Sequence, residues 1–543
     1  MKRIGLGPVL ALGAIGVALA ACAPANKSIV EVGEPQPFNP PGGDAAKPAD
    51  TAAAAQAIDC EAFDVKGISF SPGALDFAEL PGNGVTVKRS IADQRKRVEK
   101  AKGAAKNTES KDLALLLWYT APTGEPKEVR KQLKAQRAEA LTVLTPLAAD
   151  AAATEDVLVA YAAAEQAVGD EGKAGTAWEG IITRFPKSAK IARYQALRDY
   201  LALKARQPLP FPLPAELKGA PYEAAYVSAW VKFRGGDKAG AVADITTAAK
   251  AWSNLETLVS LRRDVMLIFS RAGGNPNDAY ALIEELSKKD KGDIQKVGDA
   301  LADAYGYAGE YESASALREK LAASAAGGRL AEIRLAQAVV SYRLLHPAEA
   351  ADGTLAAWKE LQAAGDAAPV EMREAVAKQI VNFGMIFHSE YAKTHDARFA
   401  DPAKKLYTAY LAIPGRADAG KVKDELVPNL DKTIETYKTP AAGALDQQTV
   451  TRHVGSYLEQ VGACYESELQ GDPALTFTGK LVFDVAADGK VSGAKIDGAA
   501  DGDKGAPAVA KCLAARANAW LFPASGTAAR VSYPFNFKPA KAS

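Results

Sequence analysis

From about Ser90 to Lys438 apolar residues recur at helical spacing, with small residues where neighbouring helices must approach. Three stretches, VLVAYAAAEQAV, EAAYVSAWVKFR and ALADAYGYA, each run into the same kind of turn: Gly169-Asp170, Gly236-Asp237 and Gly309-Glu310. Each turn places an alanine five residues after its glycine, at Ala174, Ala241 and Ala314. The turns lie 67 and 73 residues apart, about two units of ~34 to 37 residues each. The pattern predicts stacked helix pairs over 90–438, with a concave surface suited to binding. RQPLPFPLPAELKGAP at 206–221 holds five prolines and cannot be helical, so it marks a break in the array.

Past Lys438 the periodicity changes. Asp446 can cap a helix whose apolar stripe is Val450, Val454, Tyr457, Leu458, Val461, Cys464 and Tyr465. Leu481, Phe483 and Val485 then alternate towards the turn Asp488-Gly489, which predicts a hairpin. A second helix runs from about Ala506 to Trp520 with Val509, Cys512, Leu513, Ala517 and Trp520 on one side, and stops at Phe522-Pro523. The last strand alternates Val531, Tyr533, Phe535 and Phe537 against Ser532, Pro534 and Asn536. Pro534 has no ladder donor, which predicts an edge position. These elements make a small α+β unit, two helices on one face of a three-stranded antiparallel sheet. An exposed edge can pair with an extended peptide, so Arg530, Val531, Ser532, Tyr533 and Asn536 are the candidate partner-binding residues. Cys464 and Cys512 both face inward, which brings the thiols within bonding range in an oxidising compartment; two buried free thiols are the alternative. Cys60 is left over, either free or paired between chains.

The start of the chain carries a different kind of information. Lys2 and Arg3 precede an apolar run from Ile4 to Ala21, the layout of an export signal. Leu19-Ala20-Ala21-Cys22 looks like a bacterial lipobox, which implies removal of 1–21 and lipid on Cys22; a plain secretory signal is the alternative. Residues 22–59 are rich in Pro, Ala and Asp without apolar periodicity and read as a disordered tether. Residues 60–89 read as an irregular segment. The expected place is the cell envelope, lipid-anchored and facing the periplasm. Ala23 after Cys22 is not an aspartate, which by resemblance to enteric lipoproteins points to the outer membrane.

Two family resemblances bear on the fold. The array resembles a degenerate tetratricopeptide solenoid: Phe185-Pro186 stands where that family closes a unit, and YTAYLAIPGR at 407–416 has a similar ending. Residues 446–538 resemble the AgmX/PglI C-terminal domain family, which is TonB C-terminal-like. The matching residues are Cys464-Tyr465-Glu466, Gly479-Lys480-Leu481, Phe483, Asp488-Gly489-Lys490-Val491, Cys512-Leu513, Trp520-Leu521-Phe522-Pro523 and Tyr533-Pro534-Phe535-Asn536-Phe537. That resemblance implies a non-enzymatic module linking envelope layers, in some members within motility complexes. The expected fold class is therefore mainly α: a tetratricopeptide-like α-solenoid followed by a small TonB-like α+β domain.

Charge and chemistry narrow the function. With 66 basic and 65 acidic residues there is no basic excess to hold nucleic acid. His388 and His395 stand seven apart on one helix face without further ligands, and Ala486 and Lys495 occupy positions where a calcium loop after Asp484 needs acids. DGAADGDKG at 497–505 reads as a polar loop. No nucleophile elbow, phosphate loop or dinucleotide fingerprint is present in the sequence. Glu466 and Glu468 point in different directions on their helix and make poor acid/base partners. No metal, cofactor or catalytic residue is expected. The favoured reading is a lipid-anchored envelope scaffold that takes one protein in the array and a peptide along the final strand, in a gliding-motility or transport complex. An outer-membrane assembly factor working through the array, and an envelope hydrolase, are the alternatives.

Overall fold

The computed structural model describes residues 56–80, 89–394, 396–436, 445–498 and 506–540. The chain is mainly helical with one small mixed sheet. It forms two compact units, one of residues 71–274 and 281–293 and the other of the remaining described residues. The export signal, Cys22, His395 and most of the loop 497–505 lie outside the described residues.

In the first of these units the helices are α1 (Ile91–Lys100), α2 (Gly103–Tyr119), α3 (Pro126–Ala148), α4 (Glu155–Val168), α5 (Glu171–Arg184), α6 (Ile191–Lys204), α7 (Tyr222–Arg234), α8 (Lys238–Ala251) and α9 (Leu258–Ala272). Each packs against the next. The repeated turns fall between the helices of α4/α5 and α7/α8 as expected. Asp170 caps α5 by accepting from the Lys173 N–H at 2.9 Å, and Asp237 caps α8 from the Gly240 N–H at the same distance. The core of these pairs is Trp178, Trp230, Tyr200 and Tyr226, interleaved with alanines buried at the crossings. The proline-rich stretch is non-helical between α6 and α7, inside this unit. One acid is buried there: Asp199 on α6 accepts from the Phe211 N–H at 3.1 Å, and burial pushes its carboxyl up to about 6. A folded-state pKa above the unfolded one contributes stability below about pH 4 that is lost as pH rises through about 6. Asp199→Asn should therefore be the more stable chain at neutral pH, with the difference vanishing near pH 4; a pH series of melting temperatures for both chains checks this.

α10 (Pro276–Asp290) follows. In the other unit come α11 (Ile294–Tyr307), α12 (Tyr311–Ala322), α13 (Gly327–Arg343), α14 (Pro347–Ala364), α15 (Val370–Thr394), α16 (Ala400–Leu411) and α17 (Val427–Thr436), the last entered through a π-helical turn at Val422–Leu426. The third repeated turn, with Gly309 at φ +72°, joins α11 to α12. The C-terminal elements are α18 (Gln447–Ser456), α19 (Leu458–Leu469), β3 (Phe477–Val485), β4 (Val491–Asp497), α20 (Ala506–Ala517) and β5 (Ala529–Pro539). The single helix expected after Asp446 is two, parted at Tyr457. The Tyr457 ring stacks on Trp520 at 4.8 Å, and its hydroxyl accepts from the Leu521 N–H at 3.1 Å, which fixes the bend. α19 and α20 are joined by the Cys464–Cys512 disulfide, with the Cα atoms 5.7 Å apart. One apolar core runs from Phe383, Phe387 and Tyr407 through Val450 and Val461 to Leu481, Val531 and Phe535.

The sheet differs from expectation. It has five strands in the order β1-β5-β3-β4, with β2 also on β5. β1 (Gln56–Asp59) and β2 (Phe63–Gly67) lie within the expected tether and irregular segment, and both run parallel to β5. The hairpin β3/β4 and the antiparallel pair β3/β5 are as the alternation predicts. Among the described residues the outer strand on the far side is β4, where Asn518 Oδ1 accepts from the Ala494 N–H at 3.1 Å.

Candidate functional site

The residues expected to receive a partner along the last strand are already paired. Arg530, Val531 and Ser532 lie beside β1, and Asn536 beside β2, so β5 is interior to the sheet and the expected edge is corrected. Val531 and Tyr533 are core side chains, 0% and 2% exposed. Asn536 donates to Asp64 Oδ1 at 3.1 Å on the open face. Pro534 is accommodated inside the sheet for a specific reason. The Cys60 N–H donates to the Ser532 carbonyl at 3.0 Å, so even-numbered residues of β5 turn their backbone groups towards β1 and β2. Pro534 lacks its donor at the step where the chain leaves β1 and before it enters β2, so nothing is lost there.

β2 is held against α19 by close approach. A side chain on Gly67 would place Cβ 2.6 Å from the Tyr465 ring and 2.7 Å from Leu469. Glu466 on the same helix and Gln470 at its C-cap accept from the Ile68 and Phe70 N–H groups, at 3.3 and 2.9 Å. Cys60, half-buried where β1 ends, has its thiol pushed up to about 11 by burial. Gly67→Val should lift β2 from α19 and raise the rate of Cys60 alkylation at least tenfold, read by mass spectrometry of the labelled chain.

The stronger site lies in the other unit, and no periodicity announced it. Residues 71–80, SPGALDFAEL, run as non-helical chain with Ala74, Leu75, Ala78 and Leu80 at most 5% exposed. Side chains of the helices and of Asn254, which caps a short turn before α9, hold their backbone. The Tyr226 hydroxyl on α7 accepts from the N–H groups of Gly73 and Ala74, both at 3.0 Å, and donates to Asp264 on α9. Asp264 also accepts from the Gly73 N–H at 3.2 Å and is paired with Arg263, 2.8 Å away. Gln166 on α4 donates to the Leu75 carbonyl and accepts from Trp178 Nε1 at 2.8 Å. Asn254 donates to the Phe77 carbonyl at 2.7 Å, and Tyr119 on α2 to the Leu80 carbonyl at 2.8 Å. Buried polar groups need partners, and here they are supplied by non-helical backbone that turns at 74–77, where the Asp76 N–H donates to the Gly73 carbonyl at 3.3 Å.

Side chains add selection. Asp76 accepts from Tyr200 and Lys204 on α6, each at 2.6 Å, and Arg193 stands 3.5 Å from Glu79. The Arg137 guanidinium lies over the Phe77 ring at 4.9 Å. Burial pushes the Asp264 carboxyl up, with Arg263 opposing it. The arrangement can grip a non-helical, turn-containing segment by main-chain hydrogen bonds, with small or aliphatic pockets and two cationic positions for acids.

Of the other candidates, His388 is buried on α15 beside the Tyr407 ring, and His453 Nδ1 donates to the Thr449 carbonyl at 2.9 Å. Among the described residues no group of three or more His, Cys, Asp and Glu side chains could hold a metal ion, and no helix is long and apolar enough to cross a membrane. No model of a known protein family matches the chain, and no curated protein matches it.

Proposed function

We propose that the chain is a non-enzymatic, lipid-anchored scaffold of the bacterial envelope, a tetratricopeptide-like array followed by a TonB-like C-terminal module, which binds non-helical, turn-containing segments of partner proteins in the cleft that α2, α4, α6, α7 and α9 build around residues 71–80. The observation that carries it is the capture of that segment's backbone by Tyr226, Gln166, Asn254 and Tyr119. Hydrogen bonds to main chain tolerate many sequences, while Lys204 and Arg193 favour acids at two places, the division of labour found in peptide recognition. Lipid on Cys22 would hold the module at the outer membrane, facing the periplasm, within a transport or gliding complex. The paired cysteines and capped glycine turns support the two family resemblances, and partner capture is assigned to the array, since β5 is already paired on both sides.

The test is in-cell photo-cross-linking from positions 137 and 204, which flank the segment, in a chain whose residues 71–80 are replaced by a Gly/Ser linker of equal length. Trapping of an envelope protein through a non-helical acidic-apolar stretch is expected, with probes at 532 and 536 trapping none. Recovery of partners from the β5 probes alone would overturn the proposal.

A further inference from the structure

A second cleft, of about 290 Å³, lies among α11, α12 and α13, at the small end of the range for small-molecule sites. Its walls carry three arginines, Arg318, Arg329 and Arg343, against three acids, Asp299, Asp303 and Glu332. Formal balance argues against a plain anion or cation as the occupant. Ion pairs link Arg318 to Asp303, Arg329 to Asp299 and Arg329 to Glu332, and Arg343 is held by Glu459.

These pairs leave specific atoms over. Arg318 has a side chain only 6% exposed, yet its Nε and Nη1 have no hydrogen-bond partner among the described residues. The same holds for Nε of Arg329. A buried guanidinium donor left without an acceptor is costly, so such atoms in a cleft wall ask for an acceptor oxygen. Asp299 and Asp303, one helical turn apart on α11, are each bonded through one carboxylate oxygen, which leaves the other able to accept from a ligand. Val339 and Val340 on α13 supply an apolar wall.

We infer that this cleft binds an α-amino group with its neighbouring carbonyl, as in a free apolar amino acid or the amino-terminal residue of a peptide. The ammonium would sit between Asp299 and Asp303, the carbonyl oxygen would accept from Arg318, and the side chain would lie on Val339 and Val340. The inference does not rest on the scaffold reading and uses a different unit of the chain.

The test is calorimetric titration of the full chain with L-valine, L-valinamide and N-acetyl-L-valine. Binding of valine or valinamide, with N-acetyl-L-valine at least tenfold weaker, is expected. Valinamide binding as well as valine identifies a peptide amino terminus, and valine alone a free amino acid. Arg318→Lys keeps a cation for Asp303 but loses Nε and Nη1, and should weaken binding at least tenfold; Ala336→Leu fills the cleft, leaves the ion pairs intact and should abolish it. Equal binding of N-acetyl-L-valine, no binding of any probe at millimolar concentration, or unchanged binding by Ala336→Leu overturns the inference.

Discussion

Truncation of Tyr226 to alanine is expected to cost the unit formed around residues 71–80 about 5 kcal/mol, since it removes a fully buried aromatic and strands the Ala74 N–H. The ring packs against Trp252 at 5.6 Å and Tyr200 at 6.2 Å, so its loss opens a cavity at the centre of the array. The phenylalanine variant separates the two parts. It keeps the ring, and the Gly73 N–H keeps Asp264 as an acceptor, so only the Ala74 N–H is stranded, at about 1–3 kcal/mol. Hydrogen exchange should show Tyr226→Phe opening residues 72–78 while α7 stays protected, and Tyr226→Ala opening both. Equal loss of protection in segment and helix for the phenylalanine variant would mean that the hydroxyl holds the array rather than the segment.

Replacement of both Cys464 and Cys512 by serine is expected to cost about 4 kcal/mol on the chain-entropy model, for a separation of 48 residues. The bond fastens α19 to α20, and α19 carries the contacts to Gly67, Ile68 and Phe70. The loss should therefore reach β2. Denaturant unfolding of the oxidised chain and the double variant measures the difference, and faster alkylation of Cys60 in the variant reports the loosening of the N-terminal strands. A change under about 1 kcal/mol would assign the helix pair's stability to its apolar core alone.

The elements legible in the sequence are those whose signal is local. The stripe through Val450, Val454, Val461 and Cys464, the turn at Gly489 and the caps at Asp170 and Asp237 depend on residues a few positions apart. The illegible parts are held by distant partners. β1 and β2 are four and five residues long and pair with a strand more than 450 positions away, so no turn or periodicity marks them. Pro534 carried a real constraint, a missing donor, but a gap between two short strands satisfies it as well as a free edge does. Residues 71–80 have no period because their backbone is satisfied by helical side chains and not by neighbouring strand. A signal for them existed in Gln166, Asp264 and Tyr226, polar groups set among apolar positions of α4, α9 and α7, whose partners had to lie elsewhere in the chain.

The most direct measurement is the binding of a labelled peptide SPGALDFAEL to the full chain in which residues 71–80 are replaced by a Gly/Ser linker. Saturable binding by fluorescence anisotropy is expected, weakened at least tenfold when the peptide's aspartate and glutamate become lysines opposite Lys204 and Arg193. A folded linker variant that binds neither peptide, or both equally, would contradict a recognition cleft and leave residues 71–80 as a fixed part of the fold.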